Sequence, residues 1–165
     1  MSISPKDSFI LSDGSVNLTP NDDVLKDKTW NYLFKEIKRA IRHFNLLKYL
    51  VDLDEDKYSE LRWIAYAIVE RIKGRVVFLT PDGRVVIDTS KGQDGNTYQN
   101  YLDDIISENH NNRVSVFQAQ CDRRGIGYEK KFSNTIRRNE IYLAVRLGPF
   151  RNTVGTLRFS VVEEI

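Results

Sequence analysis

Ile141-Tyr142-Leu143-Ala144-Val145-Arg146-Leu147 is followed, one short turn later, by Val154-Gly155-Thr156-Leu157-Arg158-Phe159-Ser160-Val161. In the first stretch Ile141, Leu143, Val145 and Leu147 alternate with Tyr142, Ala144 and Arg146. In the second, Leu157, Phe159 and Val161 alternate with Arg158 and Ser160. A period of two is that of a β-strand, whose successive side chains point to opposite faces. The spacing predicts strands over about 140–147 and 154–162. One face is expected to be buried and the other exposed or covered by polar contacts. Gly148-Pro149 and Asn152 supply the hairpin turn between them.

Upstream, 128–133 reads as a further β segment, after a turn bracketed by Gly125 and Gly127. Residues 76–79 and 85–87 are β-branched runs on either side of Thr80-Pro81-Asp82-Gly83-Arg84, and proline followed by Asp-Gly between two such runs predicts a hairpin. Residues 114–121 fit a strand or a short helix equally well.

The remaining segments read as helices. Thr19-Pro20-Asn21-Asp22-Asp23 is a helix start: a capping hydroxyl, a proline suited to the first position, and acids facing the positive end of the dipole. Trp30, Leu33, Phe34, Ile37, Ile41, Phe44, Leu47 and Val51 then recur at spacings of three and four, which predicts one helix of about 30 residues with a single apolar stripe. The stripe has two uses open to it, packing on the chain's own sheet or pairing with a second copy. On the second use, Trp30, Phe34, Ile37, Ile41 and Phe44 form a homodimer helix. Asp52-Leu53-Asp54-Glu55-Asp56 ends the pattern. It lacks the glycine and the twelfth-position glutamate of a calcium loop, so it reads as a solvated turn. A second helix is expected over 58–73, buried through Leu61, Ile64, Ala65, Ile68, Val69 and Ile72 and ended by Gly74. A third is capped by Thr97 and carries Tyr98, Tyr101, Leu102, Ile105 and Ile106.

The order helix–helix–β–β–helix–β–β–β has no regular βαβ alternation, which argues against a parallel sheet. The expected fold is α+β, a five-stranded antiparallel sheet with helices on one face and a long N-terminal helix. The chain divides into a flexible arm (1–18), a helical region (19–73) and a sheet domain (74–165).

Composition agrees. The chain has 165 residues, 41% hydrophobic and 29% charged, with 25 Lys and Arg against 23 Asp and Glu. A chain of this length buries about 70% of its unfolded surface without disulfide or metal. One cysteine, Cys121, excludes an internal disulfide. Two histidines and one cysteine argue against a His/Cys metal site, and no cofactor is expected. No run approaches the ~18 apolar residues of a membrane span, and no signal peptide opens the chain. Residues 123–151 hold eight basic residues against Glu129 and Glu140, an excess that could attract an anion or a nucleic acid. Its basic doublets recur every seven residues, so in continuous strands they alternate faces, which argues against one nucleic-acid stripe. Cys121, beside Asp122, Arg123 and Arg124, is either a reactive thiol or a buried structural one. No nucleophile–base triad and no glycine-rich phosphate loop appears, so the chain is not expected to be an enzyme.

Several blocks then resemble one family. Residues 78–90, Phe-Leu-Thr-Pro-Asp-Gly-Arg-Val-Val-Ile-Asp-Thr-Ser, resemble the D-x-D-G-x-V-x-x-D-S hairpin of PAS-like Cache sensor domains. Glu108-Asn109-His110-Asn111-Asn112-Arg113 resembles the E-N-H-x-x-R-P-E turn of the extracytoplasmic domains of phosphate-regulon-type sensor histidine kinases, with Val114-Ser115 in place of Pro-Glu. Gly125-Ile126-Gly127-Tyr128 through Phe132-Ser133 is similar to their G-x-G-x-x-x-R-Y-S strand, and the two closing strands are similar to theirs. The likeness covers about residues 70–162. It implies a short helix over 113–122 and a non-enzymatic sensor that binds a small, anionic ligand and relays occupancy through its N-terminal helices. Such a sensor excised from a membrane receptor is extracytoplasmic, whereas a free-standing soluble relative is cytoplasmic. The rival readings are a dimerisation scaffold whose pocket is filled by side chains and, third, a nucleic-acid binder using 123–151. By the resemblance, Tyr128, Lys130, Tyr142, Arg146 and Arg158 line the sheet face used for ligands; otherwise they form an outward face. Asp88, His110 and Arg113 stand at the mouth of the pocket, or else form a buried Asp–Arg pair and a capping histidine that fasten helix to sheet.

Overall fold

The computed structural model describes residues 28–103, 109–110, 113–122, 124–148 and 152–163. The expected arm (1–18), the cap at Thr19 with Pro20, and Ile105, Ile106, Glu108, Asn111, Asn112, Arg123, Pro149 and Arg151 lie outside the described residues.

Helix α1 (Lys28–Phe44) buries Leu33, Phe34, Ile37, Ala40 and Ile41 at the predicted spacing. Its one acidic residue, Glu36, is buried too and ion-pairs with Arg71. The expected 30-residue helix does not run on. Asn45 takes a left-handed conformation (φ 50°), which asparagine tolerates better than most residues, and the chain restarts as α2 (Leu46–Leu50). Asp52 is left-handed as well (φ 53°) and turns the chain into α3 (Glu55–Ile72). The acidic run is part of that start. Asp54 Oδ1 accepts the Lys57 amide at 2.8 Å, and Glu55 and Asp56 occupy the first turn, so α3 begins three residues before the predicted position. It ends on Lys73, left-handed at φ 55°, rather than on Gly74. Gly74 serves a close approach instead, since a Cβ there would overlap the Ser160 carbonyl.

Strands β1 (Arg75–Leu79) and β2 (Val85–Asp88) form the predicted hairpin, closed by Thr80 N–H to Arg84 O (2.8 Å) and Gly83 N–H to Thr80 O (2.9 Å). A 3-10 turn (Thr89–Lys91) and one helical turn, α4 (Gly92–Gly95), lead to α5 (Tyr98–Leu102), where the Thr97 hydroxyl accepts the Asn100 amide at 3.0 Å as expected. Residues 114–121 are helical, forming α6 (Val114–Cys121). Three strands close the chain, β3 (Ile126–Ser133), β4 (Arg138–Leu147) and β5 (Gly155–Val162).

The sheet has the order β2-β1-β5-β4-β3, with every neighbouring pair antiparallel. The expected α+β architecture is therefore present. α1 and α3 cover one face, where Val76, Phe78, Ile87, Leu143, Leu157 and Phe159 join the buried residues of both helices. The expectation of helices on one face alone does not hold, because α6 covers the opposite face. Val77, Leu79, Val85 and Ala144 pack there against Val116 and Ala119. Gly127 permits this second layer, because a Cβ on it would overlap the Ser115 carbonyl of α6. The apolar stripe of α1 is used on the chain's own sheet. Phe34, Ile37 and Ile41 are buried, and Trp30 and Phe44 pack at the edge of the same core, so the expected dimer helix has no free apolar stripe to offer. Among the described residues no helix is long and apolar enough to cross a membrane.

Replacing Phe34 by alanine should cost about 3–5 kcal/mol in denaturant unfolding and leave the sedimentation behaviour unchanged. Unaltered stability with a shift in oligomeric state would instead make the stripe an interface.

Candidate functional site

Strand phase divides the residues expected to bind ligand. In β3, Tyr128 and Lys130 face α1. The Tyr128 ring lies 5.7 Å from both Trp30 and Phe34, edge to face. Lys130 Nζ sits 5.3 Å from the Trp30 ring centre and 2.6 Å from Glu163. Tyr142, Arg146 and Arg158 are on the other face, toward α6. β3 was hard to phase from sequence because Tyr-Glu-Lys-Lys does not alternate in polarity.

The two arginines of that face are held differently. Arg146, 1% exposed, donates from Nη1 to the carbonyls of Ala119 (3.1 Å) and Asp122 (2.6 Å) and from Nε to Gly148 O (3.5 Å). Those first two carbonyls close the C-terminal end of α6, where a cation also meets the negative end of the helix dipole. Burial lowers its pKa, and the Asp122 charge opposes the shift. Arg146 is thus a fastening of α6 to the sheet.

Arg158 is 5% exposed and has fewer partners. Nε donates to Ser115 Oγ at 3.1 Å, the guanidinium lies 4.3 Å from the Tyr142 ring centre, and Nη2 stands 3.7 Å from Glu129 Oε2, beyond hydrogen-bond distance. Burial lowers its pKa to about 10. The charges of Tyr142 and Glu129 raise it, and the neighbouring guanidiniums Arg75 and Arg113 lower it. Tyr142 donates to Glu140, and burial with that bond pushes its pKa up to about 12. Thr156, two residues before Arg158 on the same strand face, has a buried hydroxyl with no hydrogen-bond partner among the described residues. Arg158 is therefore a desolvated cation with donors in reserve, beside further polar side chains on the same face.

The motif residues Asp88, His110 and Arg113 do not form the expected cluster. Asp88 pairs with Arg75, whose Nε donates to Oδ1 at 2.9 Å. The two side chains stand on adjacent strands and one face, so Arg75 rather than the exposed Arg113 takes the role. Burial raises the Asp88 pKa, but the Arg75 hydrogen bond and charge, with the side-chain and backbone hydrogen bonds of Ser90, more than offset it, and the carboxyl lies below its ordinary value. His110 is buried. Its amide donates to Gly83 O at 2.9 Å and its carbonyl accepts the Arg113 amide at 2.9 Å, which ties the hairpin tip to the start of α6 through backbone groups. Cys121 is exposed, not a buried structural thiol.

Residues that sequence reasoning passed over complete the face. Glu129, Ser115 and Thr156 surround Arg158. Asn96, fully buried, accepts from the Asp88 amide (2.9 Å) and donates to the Asp88 and Gly92 carbonyls (2.7 and 2.8 Å), so it pins the loop after β2. The basic residues of 123–151 are dispersed. Arg124 stands 3.5 Å from Asp122, Lys130 faces α1, and Arg146 is buried, so they do not form one stripe.

No family model matches the chain, and no curated protein matches it. The resemblance to phosphate-regulon-type sensor kinases therefore rests on the motifs alone. Solved structures to which the chain is similar include the sensory domain of the Campylobacter jejuni chemoreceptor Tlp3 with isoleucine bound, at a TM-score of 0.44 and 12% identity over 85% of this chain and 57% of that one. Another is the ligand-binding domain of the same receptor in complex with 4-methylisoleucine, at 0.42 and 14%, over 85% and 56%. The chain spans less than two thirds of either structure. At these scores the likeness carries no conclusion about ligand or role.

Two outcomes separate the arginines. Arg146→Met should lower stability by about 1–3 kcal/mol, because it leaves buried carbonyls without donors. Arg158→Met should leave stability unchanged or raised, because a buried charge with few partners is costly to desolvate. Asp88 adds a pH signature. Its folded pKa lies below the unfolded value of about 3.9, so its contribution is present above that pH and is lost as pH falls through the folded value. Urea midpoints across that range should fall less steeply in an Arg75→Met/Asp88→Leu double variant than in the wild type.

Proposed function

We propose that this chain is a non-enzymatic sensory module of Cache type that binds a small anionic ligand on the α6 face of its sheet, with Arg158 as the anchor. The carrying observation is that Arg158 is almost fully buried yet, among the described residues, makes one side-chain hydrogen bond, to Ser115, beside a long ion pair with Glu129. A guanidinium presents five donors in a planar fork suited to a carboxylate or phosphate. In a desolvated setting a charge-assisted pair is stronger than in water. The incoming anion would replace the distant Glu129, stack its partner against Tyr142 and reach the Thr156 hydroxyl.

The same strand supplies a path for relaying occupancy. Glu129 stands beside Arg158 on one face of β3, while the adjacent Tyr128 packs against Trp30 and Phe34 of α1 on the other. An anion that displaces Glu129 shifts β3, and Tyr128 carries that shift to the N-terminal helix. This is a two-sided element both sites can bias, which is the physical requirement for coupling.

One observation favours a second reading, a scaffold whose pocket is filled by its own side chains: Arg146 and Arg158 both occupy the space between sheet and α6. The two readings differ in a thermal-shift and fluorescence experiment with mono- and dicarboxylates and inorganic phosphate. Under the sensor reading, a ligand at 100 times its Kd stabilises the wild type by about 2.7 kcal/mol. The stabilisation disappears in Arg158→Met. In a Trp63→Phe background, the same ligand changes Trp30 emission. No shift with any anion, or a full shift retained in Arg158→Met, would overturn the reading.

A further inference from the structure

A cationic stripe outside 123–151 lies on α1. Lys35, Lys38, Arg39 and Arg42 occupy positions i, i+3, i+4 and i+7, which share one side of a helix. None of the four has an ion pair or a hydrogen bond among the described residues. The acid of this helix, Glu36, is buried and already held by Arg71. Four unneutralised cations on two turns create a local positive field.

Beside this stripe a groove of about 310 Å³ runs between α1 and α3. Ala40, Phe44, Ala67 and Ile68 line it together with Arg39, His43 and the Glu36–Arg71 ion pair, in which the groove's carboxylate is neutralised. Trp63, 68% exposed, sets its ring edge-on to Phe44 at 6.4 Å and extends the apolar surface beyond the groove. An exposed tryptophan next to a concave apolar floor is the composition of an interface hot spot.

We propose that this groove docks an acidic amphipathic segment of a partner protein, with apolar side chains seated between α1 and α3 and carboxylates along Lys35, Lys38, Arg39 and Arg42. Charge complementarity selects the acidic partner, and the concave apolar floor selects an amphipathic segment that can fill it. A second copy of this chain does not fit. In a two-fold contact the same patch meets itself, which would bring the two cationic stripes together. A flat anionic surface would meet the charges but leave the floor empty.

The test uses the full chain and a synthetic helical peptide with leucine at every third and fourth position and glutamate along both flanks. Its scrambled isomer, a single-stranded oligonucleotide and phosphatidylserine-containing vesicles run in parallel, all followed by calorimetry and tryptophan emission. The amphipathic peptide should bind at least about tenfold more tightly than its scrambled isomer. Lys38→Glu/Arg42→Glu, at solvent-accessible positions, should weaken it by at least about tenfold, and Ala67→Trp, which fills the groove, should weaken it without a change of charge. Equal affinity for both peptides, tighter binding of the oligonucleotide or the vesicles, or no binding to the amphipathic peptide would each overturn the proposal.

Discussion

A sheet covered on both faces leaves its charged side chains little access to water, and the rest of this structure follows from how each one is accommodated. The α1 and α3 face carries little of the difficulty, being apolar from Val76 to Phe159 with Lys130 at its β3 edge paired to Glu163. The α6 face does not. β5 presents Thr156, Arg158 and Ser160 there and β4 presents Tyr142 and Arg146, and all but Tyr142 are buried. Each buried polar group needs a partner or it costs stability. The Asp88 carboxylate finds Arg75 and Ser90, and Arg146 finds the end of α6. Among the described residues Arg158 finds one hydrogen bond, to Ser115, an aromatic face and a long ion pair with Glu129. That imbalance between two arginines on one sheet face is what sets a candidate site apart from a structural fastening.

β3 gains its significance from the same constraint. As an edge strand it pairs with β4 alone, so it is less restrained than the central strands. Its two faces touch different chemistry, since Glu129 looks toward Arg158 and Tyr128 toward Trp30 and Phe34. Gly127 lets α6 rest directly on this strand. Under the proposed function, a change in the polar layer would reach the helical layer through this one pair of adjacent residues.

Much of the fold was legible in the sequence where a single local rule governs. Pro81 with Asp82-Gly83 marked the hairpin, Thr97 marked a cap, and the alternation of 141–147 placed β4 with the correct phase. The misses have physical causes. Asn45 and Lys73 turn the chain left-handed without glycine, and an asparagine or lysine there carries no strong signal. Residues 114–121 were open between strand and helix from their own pattern, and only the family resemblance implied the short helix that forms where Gly127, Ser115 and Ala119 allow close packing on the sheet. For the site, the sequence picked out Tyr142 and Arg158 but grouped them with Tyr128 and Lys130, because strand phase in β3 depends on its register with β4. It also matched Asp88 to Arg113 by motif, whereas the geometry of neighbouring strands pairs it with Arg75.

The central claim is that Arg158 is poised for an anion while Arg146 is committed to the protein's own backbone. The most direct measurement follows the two arginine Nε–H resonances by NMR during titration with mono- and dicarboxylates and inorganic phosphate. A saturable shift of the Arg158 signal with at least one of these anions is expected, while the Arg146 signal stays in place. An Arg158 signal unmoved by all of them, or an Arg146 signal that moves alone, would contradict it.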